Sequence, residues 1–288
     1  MKAEVLDALT LDPSVRVVVD GTLGGGGHAA AIRDRLPPEA VFVGCDRDPA
    51  AVRRVAAAWG DLDGRTHLVP ASYAALPDTL TSLSLPLADR VLLDLGLSSD
   101  QLVDRSRGFG FDAGGSLDLR FDPTSGLPAS RWLADTPVSE IAKALRTFAD
   151  EPNADRIAAA LSASPPETTE ELVELVRPLV SAAESKHPAT RTIQALRIGV
   201  NDELGHLQRA LTQTLPRAVC DGGIVAILTF HSIEDRIVKQ AFRETLDPAT
   251  GKPIWTPQGK KPILPRPAEV RANPRTRSAK LRIAVRNG

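Results

Sequence analysis

The stretch Val15-Arg-Val-Val-Val-Asp20-Gly-Thr-Leu-Gly24-Gly-Gly-Gly-His28 decides the fold. Residues 15–20 form an aliphatic run ended by an acid and read as a strand buried on both faces; residues 27–36 carry a helical pattern. Four consecutive glycines between a strand and a helix let a ligand approach the backbone closely and open φ values closed to other residues. Taken alone, such a loop fits either a dinucleotide site or a plain tight turn.

The alternation continues downstream. Residues 41–46 read as a strand, and 49–59 as a helix with Asp48 as its N-cap and Pro49 at its first position. A short strand at 67–69, a helix at 73–83 and a strand at 91–95 repeat the unit. Fully apolar strands separated by helices predict an α/β fold with a parallel sheet covered on both sides. From Gln101 the rhythm breaks. Residues 107–122 are rich in Gly and Asp, and helical patterns follow at 138–148, 154–161 and 170–180, the last preceded by Thr168 with Glu171 three residues on, a capping-box pattern. Beyond Asn201 come a long helix, a buried strand at 224–228, a helix at 233–244 and a late strand at 281–285, while the Pro-rich residues 252–267 read as a loop or arm. The expected organisation is an α/β domain formed by residues 1–100 and 200–288, interrupted by an all-helical insertion at 101–199.

Composition narrows the class. At 288 residues, 42% hydrophobic and 25% charged, the chain is globular and long enough for roughly two domains. Two cysteines, Cys45 and Cys220, are too few for a disulfide framework, no His/Cys/Asp spacing suggests a metal, and the longest aliphatic run is far short of a membrane span. A cytoplasmic protein is expected. The net charge of −1 conceals a basic C-terminal segment, in which residues 252–288 hold ten Lys or Arg and one acid. Clustered positive charge on an otherwise acidic chain suggests a phosphate-bearing partner, or else a solvated tail.

The ligand follows from the acids. Asp46 ends the second strand 22 residues after Gly24, placed to accept hydrogen bonds from a ribose. Asp20, beside the loop, disfavours a pyrophosphate and suits a ligand carrying an ammonium and a sulfonium, so S-adenosylmethionine fits better than NAD. No G-x-x-x-x-G-K-[ST] sequence occurs, which argues against a P-loop nucleotide triphosphatase.

Seven ordered blocks then carry a resemblance. They are Asp20-Gly-Thr-Leu-Gly-Gly-Gly-Gly-His28, Asp94-Leu-Gly-Leu-Ser-Ser99 with Gln101, Arg107-Gly-Phe-Gly-Phe111, Ser116-Leu-Asp-Leu-Arg120, His187-Pro-Ala-Thr-Arg191 through Asn201, Phe230-His-Ser-Ile-Glu-Asp-Arg236, and Asn273-Pro-Arg-Thr-Arg-Ser-Ala-Lys280. With these the chain resembles the bacterial small-subunit rRNA cytosine-N4 methyltransferases, the RsmH or MraW family. The resemblance implies a class I, Rossmann-like S-adenosylmethionine-dependent methyltransferase with an inserted helical domain. It also implies methylation of the exocyclic N4 amine of one cytosine in the decoding centre of 16S rRNA, and allows a homodimer. By the same resemblance Gly26, Gly27, His28, Asp46, Asp94 and Gln101 line the cofactor site, with Tyr73 over the adenine. The chain departs from the family in lacking a His-x-Pro-Val-Leu block before Glu4 and in having Phe148-Ala-Asp-Glu151 where the family has Tyr-Gly-Glu-Glu.

Candidates for chemistry and substrate contact remain open at this level. Asp94, at a strand's carboxyl end, either holds the cofactor or accepts the amine proton. Asp118 with Arg120 forms either a loop over the pocket or an internal ion pair. Ser232 is expected to cap the helix that follows it, leaving His231 for substrate, phosphate or a structural hydrogen bond. Arg191 binds phosphate or forms a salt bridge, Phe109 and Phe111 stack on a base or pack in the core, and the run Arg271, Arg275, Arg277, Lys280 and Arg282 is expected to hold RNA phosphates, not all of them at once if residues 280–285 form a strand. Two other classes compete: a DNA or small-molecule amino-methyltransferase on the same fold, and a non-catalytic RNA-binding assembly protein. The Asp/Asn/Ser-Pro-Pro-Tyr motif of many amino-methylating DNA enzymes is missing after the fourth strand.

Overall fold

The computed structural model describes residues 1–110, 115–181 and 187–288. Its contacts separate two units, Met1–Gly96 with Leu204–Gly288, and Leu97–Glu203.

The first unit is built on a seven-stranded sheet of order β3-β2-β1-β4-β5-β7-β6, from β1 (Val17–Asp20), β2 (Val41–Cys45), β3 (Thr66–Val69), β4 (Ala88–Asp94), β5 (Val219–Thr229), β6 (Trp255–Pro257) and β7 (Lys280–Arg286). Strands β1 to β5 are parallel, whereas β7 runs antiparallel to β5 and to β6. Alternation along each strand makes two cores, because successive side chains point to opposite faces. Val17, Val19, Val43, Cys45, Val91, Leu93, Val225 and Ile227 enter one core with Leu76, Leu80, Leu211, Val238 and Phe242. Val18, Phe42, Leu92, Ala226 and Leu228 enter the other, against Val5 and Leu9 of the helix Lys2–Leu9, Ile32 of Gly27–Arg33 and Val55 of Pro49–Trp59. The order reverses between β1 and β4, so a crevice opens at their carboxyl ends, where ligands of open α/β sheets bind.

Three sequence expectations for this unit are corrected. β4 begins at Ala88 rather than 91, because the charges that read as a boundary are satisfied inside the fold: Asp89 Oδ2 accepts from the amides of Arg16 and Val17, and Arg90 donates to the carbonyl of Leu9. The Pro-rich segment is not a free arm. It contributes β6 and an isolated bridge between Ile263 and Leu281, and Trp255 is 2% exposed, its indole donating to Leu211 O at 3.2 Å. The sheet is also mixed rather than purely parallel, since β7 returns antiparallel at its edge.

The second unit is helical, with Ala129–Asp135, Val138–Ala149, Ala154–Ala163, Thr169–Val176 and Thr190–Asn201 around a core that includes Leu133, Ile141, Leu145, Ile157, Leu161, Leu172 and Leu196. Thr168 caps its helix by accepting from the Glu171 amide at 3.2 Å, whereas the Glu171 carboxylate accepts from Glu167 N, one residue before the position a capping box would use. Regular α-helix ends at Val176, short of the expected 180, where Pro178 cannot continue the ladder and a 3-10 turn takes over.

Candidate active site

The carboxyl ends of β1, β2 and β4 bring three acids to one edge of the first unit. Asp20 ends β1, Asp46 follows β2 and Asp94 ends β4. The glycine loop between β1 and the next helix is pinned to its neighbours: Gly21 N donates to Leu92 O, Leu23 N to Cys45 O and Gly24 N to the carboxylate of Asp46 at 2.7 Å. Within the glycine run, Gly24 and Gly26 take positive φ. Gly26 is the N-cap at φ 75°, and a Cβ there would also lie 3.1 Å from a methyl of Val55, so both conformation and space exclude a side chain.

Each acid sits differently. Asp20 is 1% exposed and, among the described residues, accepts from Thr22, at 3.1 Å from its amide and 3.4 Å from its hydroxyl; burial, with Asp94 and Asp46 nearby, pushes its pKa up to about 7 against those hydrogen bonds. Asp46 is raised by burial as well, opposed by the amides of Asp48 and Gly24 that its two oxygens accept. Asp94 is raised to about 7 by burial, opposed by the ammonium of Met1 and reinforced by Glu234. Its backbone amide donates to Thr22 Oγ1 at 2.6 Å, so one threonine links the ends of β1 and β4. Asp94 Oδ1 is buried with no hydrogen-bond partner among the described residues, while Oδ2 lies 3.6 Å from His28 Nε2. Burial, with the ammonium of Met1 and Lys2, depresses His28 to about 4. The imidazole is therefore neutral at pH 7, and its contact with Asp94 is a polar one rather than an ion pair. Tyr73, 8% exposed, lies beside the same loop: a Cβ on Gly21 would meet its Cβ at 3.0 Å.

At the end of β5 the structure reassigns the cap. His231, not Ser232, is the N-cap of Ser232–Glu244, with Nδ1 accepting from the Glu234 amide at 3.3 Å, and Nε2 3.2 Å from a Glu234 carboxylate oxygen. Glu234, 3% exposed, accepts in turn from the amide of Phe230. The imidazole thus braces the helix start through Nδ1, while Nε2 is buried with no hydrogen-bond partner among the described residues. Glu234 itself is the acid that sequence reading passed over: the capping pattern runs from Ser232 to Asp235, and nothing in that spacing signals that the Glu234 carboxylate is buried near Asp94.

Further sequence candidates lie in the helical unit. Gln101 closes a capping box with Ser98, its side-chain carbonyl accepting from Ser98 N at 3.0 Å. Asp118 and Arg120 form a bidentate pair at 2.8 and 2.7 Å across Leu119, whose φ is +60°. Burial would raise Asp118, but the hydrogen bonds and charge of Arg120 hold it below the usual carboxylate range. Asn201, unassigned a role from sequence, clamps this turn by donating to Leu119 O and accepting from Phe121 N, each at 2.7 Å. Phe109 is corrected as a base-stacking surface: it is 2% exposed, its ring 5.9 Å from that of Phe121. Phe111 lies outside the described residues. Arg191 is half-buried in the first turn of Thr190–Asn201.

The basic segment divides in the same way. Lys280 and Arg282 both bind Asp235, Arg286 binds Asp221, and Arg266 lies 3.5 Å from Glu4, whereas Arg275 and Arg277 are exposed on a 3-10 turn. Among the described residues no cluster of His, Cys, Asp or Glu is arranged to hold a metal ion, and no helix is long and apolar enough to cross a membrane.

Residues 1–287 match the family described as the MraW methylase family. The chain is 47% identical to the ribosomal RNA small subunit methyltransferase H of Rhodopirellula baltica over 286 residues, covering 93% of this chain and 85% of that one. It is 40% identical to the protein of the same name from Symbiobacterium thermophilum over 301 residues, covering 98% and 94% of the two chains. Sheet order, acid-lined crevice and full-length match together establish that the chain belongs to the MraW methylase family, a methyltransferase of the class I fold that uses S-adenosylmethionine.

Proposed function

We propose that this protein transfers a methyl group to the exocyclic N4 amine of a single cytosine in the decoding centre of 16S rRNA, acting on the small ribosomal subunit in the cytoplasm. The observation that carries this reading is the buried, unpartnered Asp94 Oδ1 at the switch point of the sheet, in a chain whose relatives are named for the small-subunit rRNA.

The acids fit S-adenosylmethionine. Three carboxylates at one sheet edge stand above their ordinary pKa, each chiefly through burial and Asp20 also through the charges of Asp94 and Asp46, a situation that a ligand with ammonium and sulfonium charges relieves. Bound there, the cofactor supplies an electrophilic methyl on positively charged sulfur. Asp46 retains lone pairs for ribose hydroxyls beside those engaged by Gly24 and Asp48. Gly26 and Gly27 admit the ligand to the backbone, with His28 and Tyr73 flanking.

The N4 lone pair of cytosine is delocalised into the ring and is a weak nucleophile. Asp94 Oδ1 offers an acceptor for an amine N–H, which would localise that lone pair and take up the proton that methylation of the amine releases. A pKa near 7 leaves Asp94 largely ionised above neutrality, as an acceptor must be. Holding the amine in place beside the bound cofactor would supply much of the remaining acceleration through proximity. On the RNA side, Asp118, Arg120, Arg191, Arg275 and Arg277 are assigned to substrate contact, and the cytosine must leave its stack at a cost of about a few kcal/mol.

The test is transfer of labelled methyl from S-adenosylmethionine to small subunits lacking decoding-centre methylation, with the product nucleoside identified by mass spectrometry. N4-methylcytidine at one position is the expected result. A protein that binds the cofactor yet labels neither subunits nor their assembly precursors overturns the reading.

A further inference from the structure

Away from the acid-lined crevice, the first unit carries a shallow surface cleft between the later turns of Ser232–Glu244 and the β6–β7 edge. Lys239, Arg243, Lys261 and Arg282 line it, with Phe242, Pro257 and Gly259 among its walls. Arg282 is held by Asp235, with Nε to Oδ1 at 2.6 Å, and Lys280 takes another oxygen of the same acid, so that carboxylate is neutralised from within the fold. Lys239, Arg243 and Lys261 are exposed and make no ion pair among the described residues. Exposed Arg236 lies three residues before Lys239 on the same helix and extends the row toward Ser232.

We propose that this cleft binds the ribose-phosphate backbone of the substrate RNA several nucleotides from the methylated base, an inference that rests on the rRNA reading above. Three unpaired cations round one concave groove, in a protein whose first 251 residues are net acidic, complement a chain of phosphates. Position agrees with charge. Lys239 and Arg243 lie seven and eleven residues along the helix from Ser232, which leaves the carboxyl end of β5; at about 1.5 Å per residue that is roughly 10 to 16 Å. A stacked strand rising about 3.4 Å per phosphate covers this span in roughly three to five nucleotides. Contacts to phosphate fix the register of the RNA without reading its sequence, leaving base choice to the methyl-transfer site.

The experiment compares the wild-type protein with the K239A/R243A/K261A variant and with the charge-preserving K239R/R243K/K261R variant. Fluorescence anisotropy reports binding of two labelled RNAs, a small-subunit rRNA fragment and a polyuridylate of equal length, across a salt series, and calorimetry reports cofactor binding. For the alanine variant we expect about tenfold or greater weakening toward both RNAs, a log–log salt slope flatter by about 2, cofactor affinity unchanged, and KM for subunits raised with kcat preserved. The charge-preserving variant restores binding. Unchanged RNA affinity and salt slope overturn the proposal. So does a defect confined to assembled subunits with naked RNA bound normally, which assigns the cleft to an acidic ribosomal protein. If the wild-type protein makes no N4-methylcytidine while the alanine variant still loses RNA, the function assigned above fails and the cleft stands.

Discussion

Replacing Asp20 by Asn changes the sign of its effect on stability with pH. In the native protein the Asp20 carboxyl is 1% exposed and titrates near 7, against 3.8 for an ordinary aspartate. Its folded pKa is raised, so its contribution to stability is fully present below about pH 4 and is lost as pH rises through 7. At about 1.36 kcal/mol for each pKa unit, the ionised group costs on the order of 4 kcal/mol at pH 8 relative to its protonated form. Asn keeps an oxygen for Thr22 but brings an amide into a buried site, where each N–H left unpaired costs about 1–3 kcal/mol. The variant is therefore less stable than wild type at pH 5, where Asp20 is protonated, and more stable at pH 8, where it is not. For a protein of this size each kcal/mol moves the melting temperature by about 2–4 °C, which calorimetry or fluorimetry of the cofactor-free protein resolves. S-adenosylmethionine, by pairing its positive charge with the acids, stabilises the wild-type protein more strongly at pH 8 than at pH 5, and D20N loses that gain. A melting-temperature difference between variant and wild type that is the same at pH 5 and pH 8 refutes the argument.

Other perturbations separate roles within the site. Asp94→Asn should lower kcat at least about 100-fold while changing the cofactor Kd by less than tenfold; equal losses in both would assign Asp94 to cofactor binding alone. Gly26→Ala forces a side chain to φ +75° with Val55 at 3.1 Å, and should cost about 1–2 kcal/mol of stability together with cofactor affinity, read by thermal shift with and without ligand. Asp118→Ala unties the Arg120 turn and should abolish methyl transfer with cofactor binding retained; full activity in this variant removes Asp118 from the substrate site. Removing the cap in His231→Ala should cost about 0.5–2 kcal/mol in melting experiments, with methyl transfer retained at temperatures where the variant is folded.

The parts of this molecule legible in the sequence are those whose signal is local. β1, the glycine loop and Asp46 are read from a run of aliphatic residues, a run of glycines and a fixed distance, and each is a feature that neighbouring residues create. The parts that were not legible depend on partners far along the chain. Arg90 reads as the boundary of β4 until the carbonyl of Leu9, 81 residues away, is placed against it, and the residues around Trp255 read as an arm until Leu211 O accepts the indole proton. His231 and Ser232 show the subtler case. Both stand at the start of a helix, and sequence preference favours the hydroxyl as cap, but Glu234 is buried beneath the chain and the imidazole pairs with it. The same distinction applies to charge. Ten basic residues in the last 37 look like one uniform surface, yet Asp235, a residue of the preceding helix, takes two of them, and the cations left unpaired at the cleft include Lys239 and Arg243, which lie outside that segment altogether. A basic sequence segment thus locates a phosphate-binding surface only after the fold has shown which charges it has already neutralised.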